Sequence, residues 1–202
     1  MTQATGKLSF EDYAELDAET WAQQELPEGR CEYVDAGELK PLPSESELND
    51  FIARYLLFVL ASSGVVPLRL IAIHTCEIEV PGKPKTRFPD LVILQEEHLA
   101  LTKKRLLIRL DMPAPQLVAE VVSPGDASRQ RDYAAKREQY QQRGIPEYWL
   151  LNPATEIITI LALKDGQYVE SGQFQGSTPI QSPTFPTLPF TAEQVFAAGK
   201  EG

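Results

Sequence analysis

Glu120 stands in the middle of an apolar run, Leu117-Val118-Ala119-Glu120-Val121-Val122, and Asp90 opens another, Pro89-Asp90-Leu91-Val92-Ile93-Leu94. An ionised carboxylate inside a buried strand is costly unless it meets a cation or a hydrogen-bond donor, so Glu120 asks for a partner. If the two strands are neighbours, Asp90 and Glu120 set two hard oxygen ligands side by side. Mg2+ and Mn2+ take such ligands, with waters completing the shell. A lysine beside them would orient an attacking water or steady the charge developing on a phosphate. The stretch after Glu120 is crowded with candidates: Arg129, Arg131, Asp132, Tyr133, Lys136 and Arg137. Asp132 and Lys136 are four apart, which puts them on one face of a helix.

Each of these residues also has a plainer reading. Glu120 could face solvent from an edge strand or pair structurally with an arginine, and Asp90 could shape a loop. A basic helix is more often a solvated face than a nucleic-acid surface. Cys31 and Cys76 are too few for a disulfide framework or a structural zinc site and read as core fillers. His74 and His98 leave little room for a histidine-rich metal site, and both are expected to be ordinary structural or surface residues. A glycosidase would also use paired carboxylates, but no aromatic-rich sugar groove accompanies them here.

Around these residues, 202 amino acids with 43% hydrophobic content suffice for one domain over residues 1–202 with a real core. No apolar run reaches the roughly 18 residues of a membrane span. Residues 1–10 lack the basic-then-apolar pattern of a signal peptide, so a soluble cytoplasmic protein is expected. The net charge of −10 and pI near 4.8 exclude a whole-surface footprint for nucleic acid. They leave room for a local basic stripe beside an acidic metal site.

The elements that must position the chemistry follow from pattern. Ser9 is an N-cap with acids behind it, which predicts a helix to about Glu19. Residues 31–34 and 38–42 form a hairpin over Asp35-Ala36-Gly37. Leu48, Ile52, Tyr55, Leu56 and Val59 recur at helical spacing as far as Ser62. Residues 68–74, 76–80, 89–94 and 117–122 read as strands, and 105–111 is ambiguous. Ser123-Pro124-Gly125-Asp126 is a turn before a helix over 127–142, which Gly144 ends. Strands follow at 147–151, 157–163 and 167–171, the last two joined over Lys164-Asp165-Gly166. An extended cover over 173–189 and a short helix capped by Thr191 close the chain. The fold class is α/β (α+β), a mixed central sheet flanked by helices.

The order of the motifs resembles the PD-(D/E)xK nuclease superfamily and, more narrowly, the Uma-type restriction-endonuclease-like family. The matching stretches are Glu32-Tyr33-Val34-Asp35-Ala36-Gly37-Glu38-Leu39, Pro89-Asp90-Leu91-Val92, Glu120-Val121-Val122-Ser123-Pro124 and Arg131-Asp132-Tyr133-Ala134-Ala135-Lys136. Gly144-Ile145-Pro146-Glu147-Tyr148-Trp149-Leu150-Leu151-Asn152-Pro153 completes the set. The resemblance implies a restriction-endonuclease-like core and a metal-dependent endonuclease acting on DNA. Asp90, Glu120 and Lys136 would be its catalytic residues, with Mg2+ (or Mn2+) on Asp90 and Glu120. Arg131 and Asp132 would support substrate and lysine.

Two departures qualify it. The superfamily lysine usually lies two residues after the strand carboxylate, where this chain has Val122, so the role passes to Lys136. The family tends to carry a histidine early in its first core helix, where this chain has Asn49, a hydrogen-bonding side chain that cannot take up a proton at neutral pH. Glu45 and Glu47 are the nearby alternatives for an extra metal contact. These departures motivate a second expectation, a catalytically inactive nuclease fold that binds nucleic acid or protein. A homodimer would suit the cutting of two strands, though no residue demonstrates one.

Overall fold

The computed structural model describes residues 8–24, 26–122, 127–186 and 188–197, with side chains at 18 and 127–132 not described. Helix α1 (Phe10–Glu15) starts at Ser9, whose hydroxyl accepts the Asp12 N–H, as expected. It does not run on to Glu19. Asp17 opens a new helix, α2 (Ala18–Gln23), through a reciprocal capping box with Thr20, and a strong second cap ends the first helix. The hairpin β1 (Cys31–Asp35) and β2 (Glu38–Pro41) turns through Ala36 and Gly37, both at positive φ, as a two-residue hairpin turn requires.

Helix α3 (Glu47–Ser62) is capped by Ser46 and buries Ile52, Ala53, Leu56 and Leu60. Residues 68–74 are only partly strand. Leu68–Leu70 forms a short 3-10 turn, and β3 is Ile71–Ile73. Next come β4 (Glu77–Glu79), β5 (Thr86–Arg87), β6 (Leu91–Ile93) and α4 (His98–Leu101). The ambiguous stretch contributes β7 (Leu107–Ile108). Strand β8 (Leu117–Val121) is followed by α5 (Ala127–Arg143) and β9 (Glu147–Asn152). The turn at 123–126 lies outside the described residues. The hairpin β10 (Ile157–Lys164) and β11 (Gln167–Gln175) is longer than the sequence implied and takes up the first residues of the supposed cover. Helix α6 (Ala192–Ala197) follows Thr191, whose hydroxyl accepts the Gln194 N–H.

Six strands form the central sheet in the order β11-β10-β9-β8-β6-β3, and β5-β4-β7 form a smaller one. The β8/β9 pair is parallel, spanned by α5, and the other pairs of the central sheet are antiparallel. All five residues of β8 are buried, as expected of a strand covered on both faces. The main core gathers Ile52, Leu56 and Leu60 of α3, Val118 of β8, Trp149 of β9 and Ile158 of β10. Each such side chain contributes about 1.5–3 kcal/mol by leaving water. A second, aromatic cluster of Phe10, Tyr13, Leu16 and Tyr33 seats the N-terminal helices.

Candidate active site

Strand register brings the chemistry together. Strand β6 pairs with β8 as Leu91↔Ala119, and with β3 as Ile73↔Leu91. One step further along both ladders sets Asp90 opposite Glu120 on one side and His74 on the other. The backbone confirms the second step, since the His74 N–H donates to the Asp90 carbonyl at 3.0 Å. A carboxylate, a second carboxylate and an imidazole thus form a row across three strands at one end of the sheet.

Glu120 is 2% exposed. It sits on an interior strand, so the edge-strand reading does not hold. Its partners come from α5: Lys136 Nζ donates to Oε2 at 2.8 Å, and the Tyr140 hydroxyl donates to Oε1 at 2.8 Å. Helical spacing of four puts both donors on the face that meets β8. Burial pushes the Glu120 carboxyl up to about 7; Lys136 opposes the rise and the nearby Asp90 charge adds to it. The Tyr140 hydroxyl is driven well above its ordinary range, by burial first and by Glu120 second.

Asp90 is also buried, and its two oxygens do different things. Oδ2 accepts the Val121 N–H at 2.7 Å, while Oδ1 lies 3.5 Å from His74 Nδ1. Pro89, which has no N–H to give a ladder, precedes Asp90 just outside β6. His74 adopts φ 54°, a left-handed conformation uncommon for a residue with a side chain. Asp90 holds the imidazole pKa above its usual value against the opposing effect of burial. Neither ring nitrogen has a hydrogen-bond partner, although Asp50 Oδ1 lies 3.6 Å from Nε2. Glu45 completes the corner: one ligand-type atom from each of Glu45, His74 and Asp90 lies within 4.8 Å of the others. Arg30 fixes Glu45 through Oε1 at 2.8 Å.

The remaining expectations separate. Asn49 is buried in the first turn of α3, next in sequence to Asp50, and its N–H bonds the Ser46 cap. The side chains of Arg131 and Asp132 lie outside the described residues. His98 is structural as expected, spanning the Gln95 N–H and the Pro113 carbonyl. Cys31 and Cys76 are buried free thiols. His74 is the residue that sequence reasoning missed. The available signal was a histidine closing an apolar run, Ile71-Ala72-Ile73, which register would place beside Pro89-Asp90.

The profile of the Uma2 family, described as "Putative restriction endonuclease", matches residues 10–193. The chain belongs to the Uma2 family. Its fold is similar to that of a solved structure from Anabaena variabilis ATCC 29413, described as a "putative nuclease belonging to DUF820". The TM-score is 0.63 at 15% identity, covering 91% of this chain and 99% of that one. No curated protein matches. The expected restriction-endonuclease-like core is therefore present in this Uma2 member. Among the described residues no helix is long and apolar enough to cross a membrane.

Proposed function

We propose that this Uma2 protein hydrolyses DNA phosphodiester bonds with a divalent cation, Mg2+ or Mn2+, held at Asp90 and Glu120. The observation that carries this reading is the buried pair of carboxylates on adjacent strands with the Lys136 ammonium 2.8 Å from one of them. Two carboxylates suit a hard divalent ion, and Asp90 also belongs to a convergent cluster with Glu45 and His74. When bound, the ion supplies Lewis-acid stabilisation of phosphate charge and a more acidic water.

The chain's own groups have separable tasks. Backbone Val121 N–H fixes Asp90 through Oδ2, which keeps Oδ1 turned towards the cleft. Tyr140 anchors Glu120, whose carboxyl burial pushes up to about 7. Lys136 is assigned to a water or a non-bridging phosphate oxygen, with its ammonium held by Glu120 Oε2. Arg131 is assigned to the phosphate path, Asp132 to orienting Lys136, and Asn49 to a hydrogen bond with water or phosphate. A homodimer would set two such sites about a two-fold axis.

One observation favours a second reading. Both Glu120 oxygens already have donors, as in a structural ion pair, which suits a nuclease fold that binds without turnover. Supercoiled plasmid and a single-stranded oligonucleotide, each with Mg2+, Mn2+ or chelator, separate the two. Cleavage should require metal and fall by more than ~100-fold in both Asp90→Ala and Lys136→Ala. A folded wild-type protein that cuts neither substrate in either metal supports the binding module instead.

A further inference from the structure

We propose that Glu45, His74 and Asp90 form a seat for a first-row transition cation, separate from the oxygens of Glu120 and selective for Mn2+ over Mg2+. The inference rests on the nuclease reading and adds to its Asp90–Glu120 site a neighbouring seat that shares Asp90. How each donor is held supports it.

Both carboxylates in the seat are fixed by one oxygen and offer the other. Arg30 grips Glu45 through Oε1, and the Val121 N–H grips Asp90 through Oδ2. That leaves Glu45 Oε2 and Asp90 Oδ1 to ligate. Glu120 differs, with one oxygen on Tyr140 and the other on Lys136. Ligands preoriented by outer hydrogen bonds are the usual mark of a metal site.

The imidazole is the distinguishing ligand. Both His74 nitrogens are buried without a hydrogen-bond partner, and a buried polar group in that state calls for an explanation such as an ion. Its nearest acceptors, at 3.5 and 3.6 Å, are beyond a good hydrogen bond. A cation between His74 Nδ1, Asp90 Oδ1 and Glu45 Oε2 resolves this. The Nε2–H then points to Asp50, which Arg54 holds in turn at 2.8 Å, and a carboxylate behind a ligating histidine is the common arrangement.

The backbone supports the placement. His74 is locked at φ 54° by its N–H bond to Asp90 and by the Arg30 guanidinium on its carbonyl at 3.4 Å. Arg30 thus orders two of the three ligands. Ligand atoms around an ion with bonds of about 2.1 Å lie roughly 3–4 Å apart, so the 4.8 Å cluster closes by side-chain rotation. Imidazole nitrogen favours first-row transition ions, whereas Mg2+ prefers oxygen alone.

The test is calorimetric titration of the full-length protein with MnCl2 and MgCl2, and pulsed EPR of the Mn2+ complex. Glycine accepts the positive φ at position 74, so His74→Gly removes the ring without backbone strain; His74→Asn, also tolerant of that conformation, is the second variant. Wild type should bind Mn2+ more tightly than Mg2+ and show 14N coupling from a ligating imidazole. His74→Gly should lose the coupling and at least ~10-fold in Mn2+ affinity, with Mg2+ affinity nearly unchanged. His74→Asn should lose the coupling as well. Mn2+ affinity and coupling that persist without His74, or a folded wild type that binds no Mn2+, overturn the seat. Plasmid cleavage distinguishes the two readings. Binding that depends on His74 with no cleavage overturns the nuclease and leaves the seat; cleavage with binding insensitive to His74 does the reverse.

Discussion

Glu77 in β4 and Glu120 in β8 have nearly the same surroundings. Each is buried in a short strand, and each accepts a tyrosine hydroxyl on Oε1, from Tyr13 at 2.6 Å and from Tyr140 at 2.8 Å. Each meets a cation at Oε2, Arg105 at 2.7 Å and Lys136 at 2.8 Å. Burial raises both carboxyls. The difference lies one residue further out. The Arg105 guanidinium also donates to the Tyr13 carbonyl and stacks 4.3 Å over the Tyr13 ring, which closes the Glu77 site on itself. Beside Glu120 stands a second carboxylate, Asp90, and beyond it His74, Glu45 and Asp50. A buried carboxylate with a cation is thus a common structural device in this molecule. A surplus of ligand-type atoms over donors marks the corner that can take an ion.

The largest effect that would sharpen the contrast is on stability at the closed site. Arg105→Met leaves Glu77 buried without its cation and removes the stacking on Tyr13, and should cost about 3–5 kcal/mol. The pH dependence has a definite sign. Burial raises the Glu77 carboxyl above 4.5 and Arg105 opposes that rise, so the variant's native carboxyl titrates higher still. A native state that binds more protons than the unfolded chain loses stability as pH rises. The difference between wild type and variant in urea unfolding should therefore widen as pH rises above the ordinary carboxylate range. A constant difference would show that the lost stacking, not the charge, dominates.

At the open site the order of effects reverses. Lys136→Met removes a single ammonium on a flexible stem, and Glu120, whose carboxyl burial already pushes upward, can bind a proton instead. The expected stability loss is smaller, about 1–3 kcal/mol, measured on the same urea curves. Any cleavage should nonetheless be lost, whereas Arg105→Met should keep its rate per folded molecule. Equal stability losses at the two sites would break the comparison and make Glu120–Lys136 a structural pair like Glu77–Arg105.

How much was legible beforehand follows the same division between local and distant. Caps at Ser9 and Thr191, the hairpin turns and the amphipathic α3 are set by residues within a few positions of each other, and the sequence shows them. Asp90 and Glu120 stood out because each is a charge in an apolar run. His74 did not, because its place beside Asp90 arises from a register, Ile73↔Leu91, that no local pattern encodes. The resemblance to Uma-type nucleases implied an imidazole near Asn49. Here His74, from the end of β3, brings an imidazole within 3.6 Å of Asp50, the residue beside Asn49. Glu77 escaped notice for a related reason: its partners Tyr13 and Arg105 are 64 and 28 residues away.

The smallest expected effect tests whether distance alone ranks these pairs. Lys83 Nζ lies 2.6 Å from Asp35 Oδ2, closer than the cation at either buried glutamate, yet 67% of the lysine side chain is exposed. Water solvates both ions there, so the attraction is screened and holding two mobile side chains offsets what remains. Lys83→Ala should leave the thermal midpoint unchanged within error, in low salt and in high salt. A clear loss in low salt that vanishes in high salt would mean that the ion pair itself contributes. Burial would then not be what separates the pairs at Glu77 and Glu120 from the rest, and the special standing of the Asp90 corner would rest on its unpaired imidazole alone.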